Sequence, residues 1–436
     1  MQNLIKGNNF SLSNSINWWR LYYLFTCLIT LAITLYCLSD GSWNLKRQYF
    51  YGDVFWDMWL KLKNGDLTAD RHIIFDEAHV IDGKTYAYFL PFPALVRGIL
   101  SLFNLGQFPI PSALLATTLF IFSSVRLYFH LISTINLKTI EAQNLVFYIG
   151  GLLIIGSPIL MMLTYPLMFW EAIIWGAALF MTCGLLSCKI LENPRKSKNL
   201  YLFSILCGLT LFTRPTMFVA GSVIFFLTIF LLIRNEKEIA GIVLSNHRMQ
   251  IIYKAILLFT FFFLGICIYN YQKWGSPLEF GNFKNYTLIW TPEYYQQFAK
   301  YGHYQIDRIP EGFAFYFLPT AENFTKSFPF IQAGGINIFE GYAKQINYRE
   351  APLSIFVNLP IYEIGFFAGI VVAIWAIISR KAMSIKKYSY ALPIAFSSLI
   401  SFAILLGWFA HSIRYIGDLI PGLYFFFHGD SSFYYC

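Results

Sequence analysis

The chain of 436 residues is 57% hydrophobic and 19% aromatic but only 13% charged, about half the charged fraction of a water-soluble domain. Its mean hydropathy of +0.54 and its recurrent apolar runs of about 20 residues exclude one large soluble core and point to an all-α polytopic membrane protein. The net charge of +9 comes from short Lys and Arg clusters between apolar runs, not from a basic groove interleaved with stacking aromatics, so nucleic acid is excluded and membrane lipids are the expected surroundings.

Lys6 and Arg20 precede an apolar stretch over 21–38, which ends at Ser39-Asp40-Gly41-Ser42-Trp43. It has no convincing small-residue cleavage site, so it reads as a retained first span and not as a signal peptide. A long loop is expected over 39–111. It opens with Tyr51-Gly52-Asp53-Val54-Phe55-Trp56-Asp57-Met58-Trp59-Leu60, where a helix would set Asp53 and Asp57 on one face beside interfacial aromatics. Two such carboxylates suit a general base or a divalent cation. The plainer alternative is that Asp53 caps the helix and Asp57 is solvated. Next, Asp82-Gly83 signals a turn, and Lys84 after it stands where an ammonium can either meet a lipid phosphate or snorkel to the interface.

The segment 91–106 is apolar enough to suggest a span. At 1.5 Å rise per residue its 16 residues reach only ~24 Å against a hydrocarbon core of ~30 Å, and Arg97 lies inside it. Parity agrees: a span there would put the basic Pro194–Lys198 loop outside, against the positive-inside rule. A short interfacial helix is expected instead.

Further spans are expected over 112–134, 142–158, 167–189, 199–214, 215–233, 251–271, 356–379 and 389–409, about nine to ten in all within a single transmembrane domain covering 1–436. The basic stretches at Pro194–Lys198, Arg234–Lys254 and Arg380–Lys387 then belong in the cytoplasm, and a second large outer loop covers 272–351. Glu171, Arg214 and Arg414 fall at the outer ends of spans, where burial of a charge is costly without a partner or ligand. Arg214 can grip a phosphate through two N–H groups or tie helix ends together, and Glu171 can pair with it or line an acceptor site. His79 and His411 read as surface or capping histidines, and the seven Cys as small buried hydrophobes. Trp290–Tyr295 suits sugar stacking or an ordinary aromatic belt. The sequons at Asn285 and Asn323 fall in the second outer loop and matter only in a compartment with glycosylation machinery.

Several stretches together resemble the membrane-embedded C-type (GT-C) glycosyltransferases, the superfamily of protein O-mannosyltransferases and the lipid A aminoarabinose transferase. They are the Asp-bearing aromatic helix after the first span, then Gly83-Lys84-Thr85-Tyr86-Ala87-Tyr88-Phe89-Leu90-Pro91-Phe92-Pro93-Ala94-Leu95, then Gly208-Leu209-Thr210-Leu211-Phe212-Thr213-Arg214-Pro215. Asn270–Gly281, Phe328-Pro329-Phe330 and Arg414–Pro421 follow in the same order. The resemblance implies a GT-C-like fold with two large extracytoplasmic loops carrying interfacial helices, and an inverting transfer of sugar from a polyprenyl-phosphate carrier to a lipid, glycan or protein acceptor. It implies Asp53 as the general base and Asp57 as a second acidic position. Lys84, Tyr86, Glu171, Arg214 and Arg414 are the expected substrate-binding residues. No cofactor is demanded, although a divalent cation fits such a site. The expected setting is a bacterial plasma membrane with the site on its outer side. Members of the superfamily continue for further spans, so this chain is expected to be a shortened one. The competing readings are a transporter or lipid-linked-glycan flippase and an inactive scaffold; the clustering of charge toward one face, without paired broken helices at midplane, favours the enzyme.

Overall fold

The computed structural model describes residues 12–48, 52–133, 168–194, 197–240, 246–281, 299–319, 323–327, 392–408, 410–411, 415–419 and 421–422, with isolated positions at 148, 150, 151, 296, 348, 349, 355, 363 and 367. The expected spans over 142–158 and 356–379, the Trp290–Tyr295 stretch and Arg414 lie outside the described residues, apart from those isolated positions.

Among the described residues, five helices are long and apolar enough to cross a bilayer, which makes the chain an integral membrane protein: α1 (Leu12–Leu38), α5 (Pro109–Ser133), α6 (Met168–Glu192), α8 (Pro215–Ala240) and α9 (Asn246–Trp274). With 25 to 29 residues each, they extend ~37 Å or more at 1.5 Å per residue, beyond a ~30 Å hydrocarbon core. The central helix is α6, whose apolar window is 89% buried, while those of α1 and α9 are only 28% buried and face outward. On α9 the exposed Tyr253, Leu257, Phe261, Leu264, Ile268 and Tyr271 recur every three or four residues, an apolar stripe turned away from the bundle. Several polar side chains inside the bundle are satisfied locally or across helices: Thr30, Thr117 and Ser204 donate to carbonyls four residues back, and hydroxyl pairs Ser123–Thr182 and Ser187–Thr228, each at 2.7 Å, join α5 to α6 and α6 to α8.

Shorter apolar helices are α7 (Ser197–Thr210), α10 (Ile309–Phe317) and α11 (Leu392–Leu406). The span expected over 199–214 stops four residues early. Ahead of Pro215, which disfavours helical backbone at Arg214, the N–H groups of Leu211, Phe212 and Thr213 donate to carbonyls three residues back, and the Thr210 and Thr213 hydroxyls do the same. Arg214 therefore sits in a turn and not at the tip of a span.

The loop after α1 folds into α2 (Val54–Leu62), a one-turn α3 (Arg71–Ile74), a β-hairpin and α4 (Phe92–Ser101). The hairpin pairs β1 (Ala78–Ile81) antiparallel with β2 (Lys84–Ala87) around Asp82-Gly83, both with positive φ (50° and 75°), the type I′ turn this dipeptide favours. The sequence showed the turn but not the strands beside it, which are too short for a period of two to register. The segment 91–106 does form a short helix, ten residues long, rather than a crossing.

All of this loop gathers at one end of the bundle. The Phe92 N–H donates to the Phe212 carbonyl in the α7–α8 turn (3.0 Å), and Lys273 at the end of α9 donates to the Phe89 carbonyl (3.3 Å). Residues of the second long loop reach the end of α11: the Gln305 N–H donates to the Gly407 carbonyl (2.9 Å), and β3 (Tyr348–Arg349) pairs in parallel with β4 (Ala410–His411). At the opposite end, Arg248 of the second basic stretch donates to the Pro194 carbonyl at the start of the first. Among the described residues, one end of the bundle thus carries loop segments, and at another Arg248 meets Pro194.

Candidate functional site

Asp53 begins α2 in helical backbone conformation (φ −85°, ψ −9°), its carbonyl accepting the Asp57 N–H at 2.9 Å. Its carboxylate is exposed and makes no capping hydrogen bond, so the side chain stands at the positive end of the helix without being committed to it. Asp57 is engaged instead. Its Oδ2 accepts the Asp70 N–H (2.9 Å) and lies 3.2 Å from Lys61 Nζ, while Asp70 in turn caps α3 by accepting the His72 N–H (2.8 Å). The two carboxylates expected to act together divide: Asp53 is open, and Asp57 ties α2 to the chain that follows it.

The strongest polar contact here involves a residue that sequence reasoning used only to argue against a span. Arg97, fully buried in α4, meets the buried Glu171 of α6 in a two-pronged pair, Nε to Oε1 at 2.9 Å and Nη2 to Oε2 at 2.7 Å. It also donates from Nη2 to the Gly52 carbonyl (3.1 Å) and from Nη1 to the Gly106 carbonyl (3.2 Å). Glu171 therefore neither pairs with Arg214 nor is open to line an acceptor site. Two opposite charges in two apolar segments were the available signal, because neither is tolerable in such a place alone. Backbone close approach completes the seat: a Cβ at Gly98 would lie 2.6 Å from the Trp59 ring, and one at Gly106 would lie 2.8 Å from Trp56, so glycine lets α4 and its following turn press against α2.

Arg214 pairs with another partner. Its Nε lies 3.0 and 3.1 Å from the two carboxylate oxygens of Asp418, and its guanidinium stands 5.5 Å from the centroid of the Tyr415 ring. Asp418 is fully buried at its side chain, whereas Arg214 keeps 13% exposure. Among the described residues no other hydrogen bond engages its Nη1 and Nη2. Both Tyr415 and Asp418 belong to the Arg414–Pro421 stretch, which brings that late motif to the α7–α8 turn.

Lys84 is exposed on β2. Tyr86, opposite His79 in the hairpin register, is half-buried against Trp274, ring centroids 6.0 Å apart. Lys273 is a buried cation that sequence reasoning passed over. Besides the Phe89 carbonyl it donates to the Tyr269 hydroxyl (3.0 Å), and it stands about 5 Å from the Tyr269 and Trp274 ring centroids (4.9 and 5.1 Å). The Tyr269 to Lys273 spacing of four at a span's end was its trace. No bonds join Asp53, Lys84 and Arg214 to one another among the described residues. No group of three or more His, Cys, Asp or Glu side chains placed to hold a metal occurs among them either.

His79 corrects its expected surface position: it is fully buried, its ring 5.3 Å from that of Trp274. Burial, with the Lys273 charge as the lesser cause, pushes its pKa down to about 3. The unfolded chain, with an ordinary histidine, takes up a proton below pH 6.5 while the folded hairpin refuses it down to about 3. The stability His79 contributes is therefore whole above pH 6.5 and lost as pH falls through that window. The thermal midpoint is expected to drop between pH 7 and 5, and the drop is expected to shrink in His79→Phe; equal slopes in both proteins would detach the effect from this residue. Asn323, in the second sequon, is fully buried, and Asn285 lies outside the described residues.

No protein-family model matches the sequence, and no curated protein matches it. Among solved structures, the apo oligosaccharyltransferase of Archaeoglobus fulgidus aligns with 93% of this chain and 50% of its own, at 14% identity and a TM-score of 0.47. The same enzyme tethered by a disulfide bond to an acceptor peptide containing the NVT sequon aligns over 94% and 50%, at 14% identity and 0.48. The archaeal oligosaccharyltransferase AglB from that organism, in complex with an inhibitory peptide and a dolichol-phosphate, gives 94%, 50%, 14% and 0.45. This chain is thus similar along nearly its whole length to oligosaccharyltransferase structures of low identity, and it spans about half the length of those enzymes.

Proposed function

We propose that this chain is a C-type glycosyltransferase that takes a sugar from a polyprenyl-phosphate carrier and passes it, with inversion, to an acceptor nucleophile at the long-loop end of the bundle, on the extracytoplasmic side. The observation that carries the reading is the double tether of α4. Its first residue, Phe92, bonds to Phe212, two residues before Arg214; Arg97 bonds to Gly52, one residue before Asp53. Five residues of helix at 1.5 Å each separate the tethers by about 7.5 Å along the axis. An exposed carboxylate and a guanidinium whose Nη1 and Nη2 meet no acceptor among the described residues are therefore anchored to one short helix. Phe92 and Phe212, one of the two tethers, fall in stretches that carry the sequence resemblance.

The chemistry then divides simply. The Asp53 carboxylate accepts the proton of the acceptor hydroxyl as its oxygen attacks the anomeric carbon; the bond from that carbon to the phosphate oxygen breaks, and the polyprenyl phosphate departs with the electron pair. Arg214, with Asp418 holding its Nε, presents Nη1 and Nη2 to the phosphate, and Lys84 and Arg414 add positive charge as the negative charge of the leaving group develops. Tyr86 offers a ring face to the sugar. Glu171, committed to Arg97, takes no part in binding.

The test is release of polyprenyl phosphate from a panel of labelled polyprenyl-phosphate hexoses and pentoses by the purified full chain in lipid nanodiscs. Arg214→Ala is expected to raise the donor KM by about 10- to 100-fold, the worth of one charged hydrogen-bond pair, with a smaller change in kcat. Unchanged donor kinetics would return Arg214 to a purely structural role. Movement of the lipid-linked sugar across proteoliposomes without its cleavage would replace the enzyme with a transporter.

A further inference from the structure

We infer that Arg97 and Glu171 form the positioning unit of the base, holding Asp53 by its preceding carbonyl so that its carboxylate stays free for chemistry. The inference rests on the proposed role of Asp53 and adds two residues that never touch substrate.

A carboxylate at the start of a helix ordinarily bonds the amides of the first turn, fixing the chain direction and spending its own lone pairs. Asp53 makes no such bond, yet α2 still begins there. The fixing comes from elsewhere, through the Gly52 carbonyl on Arg97 Nη2. Glu171 accepts from Nε and from the other N–H of Nη2, so the guanidinium is oriented from α6, the most buried of the described spans. Gly106, accepting from Nη1, locks the far end of α4 in the same plane. The base is thereby tied to the buried α6, from Gly52 across 45 residues to Arg97 and from Arg97 across 74 more to Glu171.

Stability alone does not require this arrangement, because a buried ion pair is often no better for a fold than two apolar side chains of similar volume. What an apolar pair lacks is a donor for the Gly52 carbonyl. That difference gives the test. In the full chain in nanodiscs, the double variant Arg97→Met, Glu171→Leu is expected to regain most of the thermal midpoint lost by Glu171→Leu alone, while amides 57–62 exchange about tenfold faster than in wild type and kcat falls by about 10²-fold, the usual cost of a misplacement near 1 Å. The donor KM, set by the α7–α8 turn, is expected to stay within about threefold. Wild-type exchange and kcat in the double variant would overturn the inference. If that variant fails to fold, Arg97→Lys carries the same test: one ammonium cannot hold the Glu171 fork and both carbonyls, so faster exchange at 57–62 with lower kcat is expected, and no change in either overturns the claim. Full transfer by Asp53→Asn would instead remove the proposed function. The exchange measurement reads the clamp without any turnover, so the two failures remain distinct.

Discussion

Asp53→Asn is expected to lower kcat for sugar transfer by about 10²- to 10⁴-fold, the range lost when a general base is removed. The donor KM is expected to stay close to wild type, because the cations proposed to bind the phosphate belong to other elements. Folding is also expected to survive. The carboxylate is exposed and makes no capping bond, and exchanging it for an amide of the same shape falls among surface substitutions worth within about 0.5 kcal/mol. A fully active Asp53→Asn would take the residue out of the reaction. A collapsed thermal midpoint would show that the side chain holds α2 by contacts other than those described.

Glu171→Leu made alone has the largest expected effect on stability. It strands Arg97, fully buried, with two carbonyls as acceptors but no compensating charge, a situation that costs about 3–5 kcal/mol when one partner of a buried pair is removed. Adding Arg97→Met in the same chain is expected to recover most of the loss, because the uncompensated charge disappears with the residue that carried it. Denaturation of the purified protein followed for both variants reads this directly. A single variant as stable as wild type would show that solvent or lipid reaches Arg97.

The sequence disclosed the bundle well and the site only in outline. Apolar runs long enough to span gave α1, α5, α6, α8 and α9 to within a few residues, except that α1 begins nine residues ahead of the expected 21–38 run and α8 continues seven residues past the expected 215–233 run. The positive-inside rule kept 91–106 out of the count of crossings, and that segment is a ten-residue helix. What failed was the pairing of charges. The sequence reading offers Glu171 only Arg214 as a partner, and nothing local ranks Arg97 above it; the choice is made by the packing of α4 on α6, a property of the folded chain. Arg97 was read as a cost to be avoided when it is the residue that α4 is built around. Asp418 lay in a motif quoted for its order and not for its charge, yet it is the partner of Arg214. His79 failed for a similar reason, since a histidine in a short strand gives no periodic signal of which face is buried, and Trp274, which covers it, lies 195 residues away.

The most direct test of a shared pocket is a density map of the full chain in nanodiscs with a polyprenyl phosphate bound. The account predicts phosphate density within hydrogen-bonding reach of Arg214 Nη1 or Nη2, on the side of α4 that faces Asp53. Density beside Arg248 and Pro194, at the other end of the bundle, would contradict it.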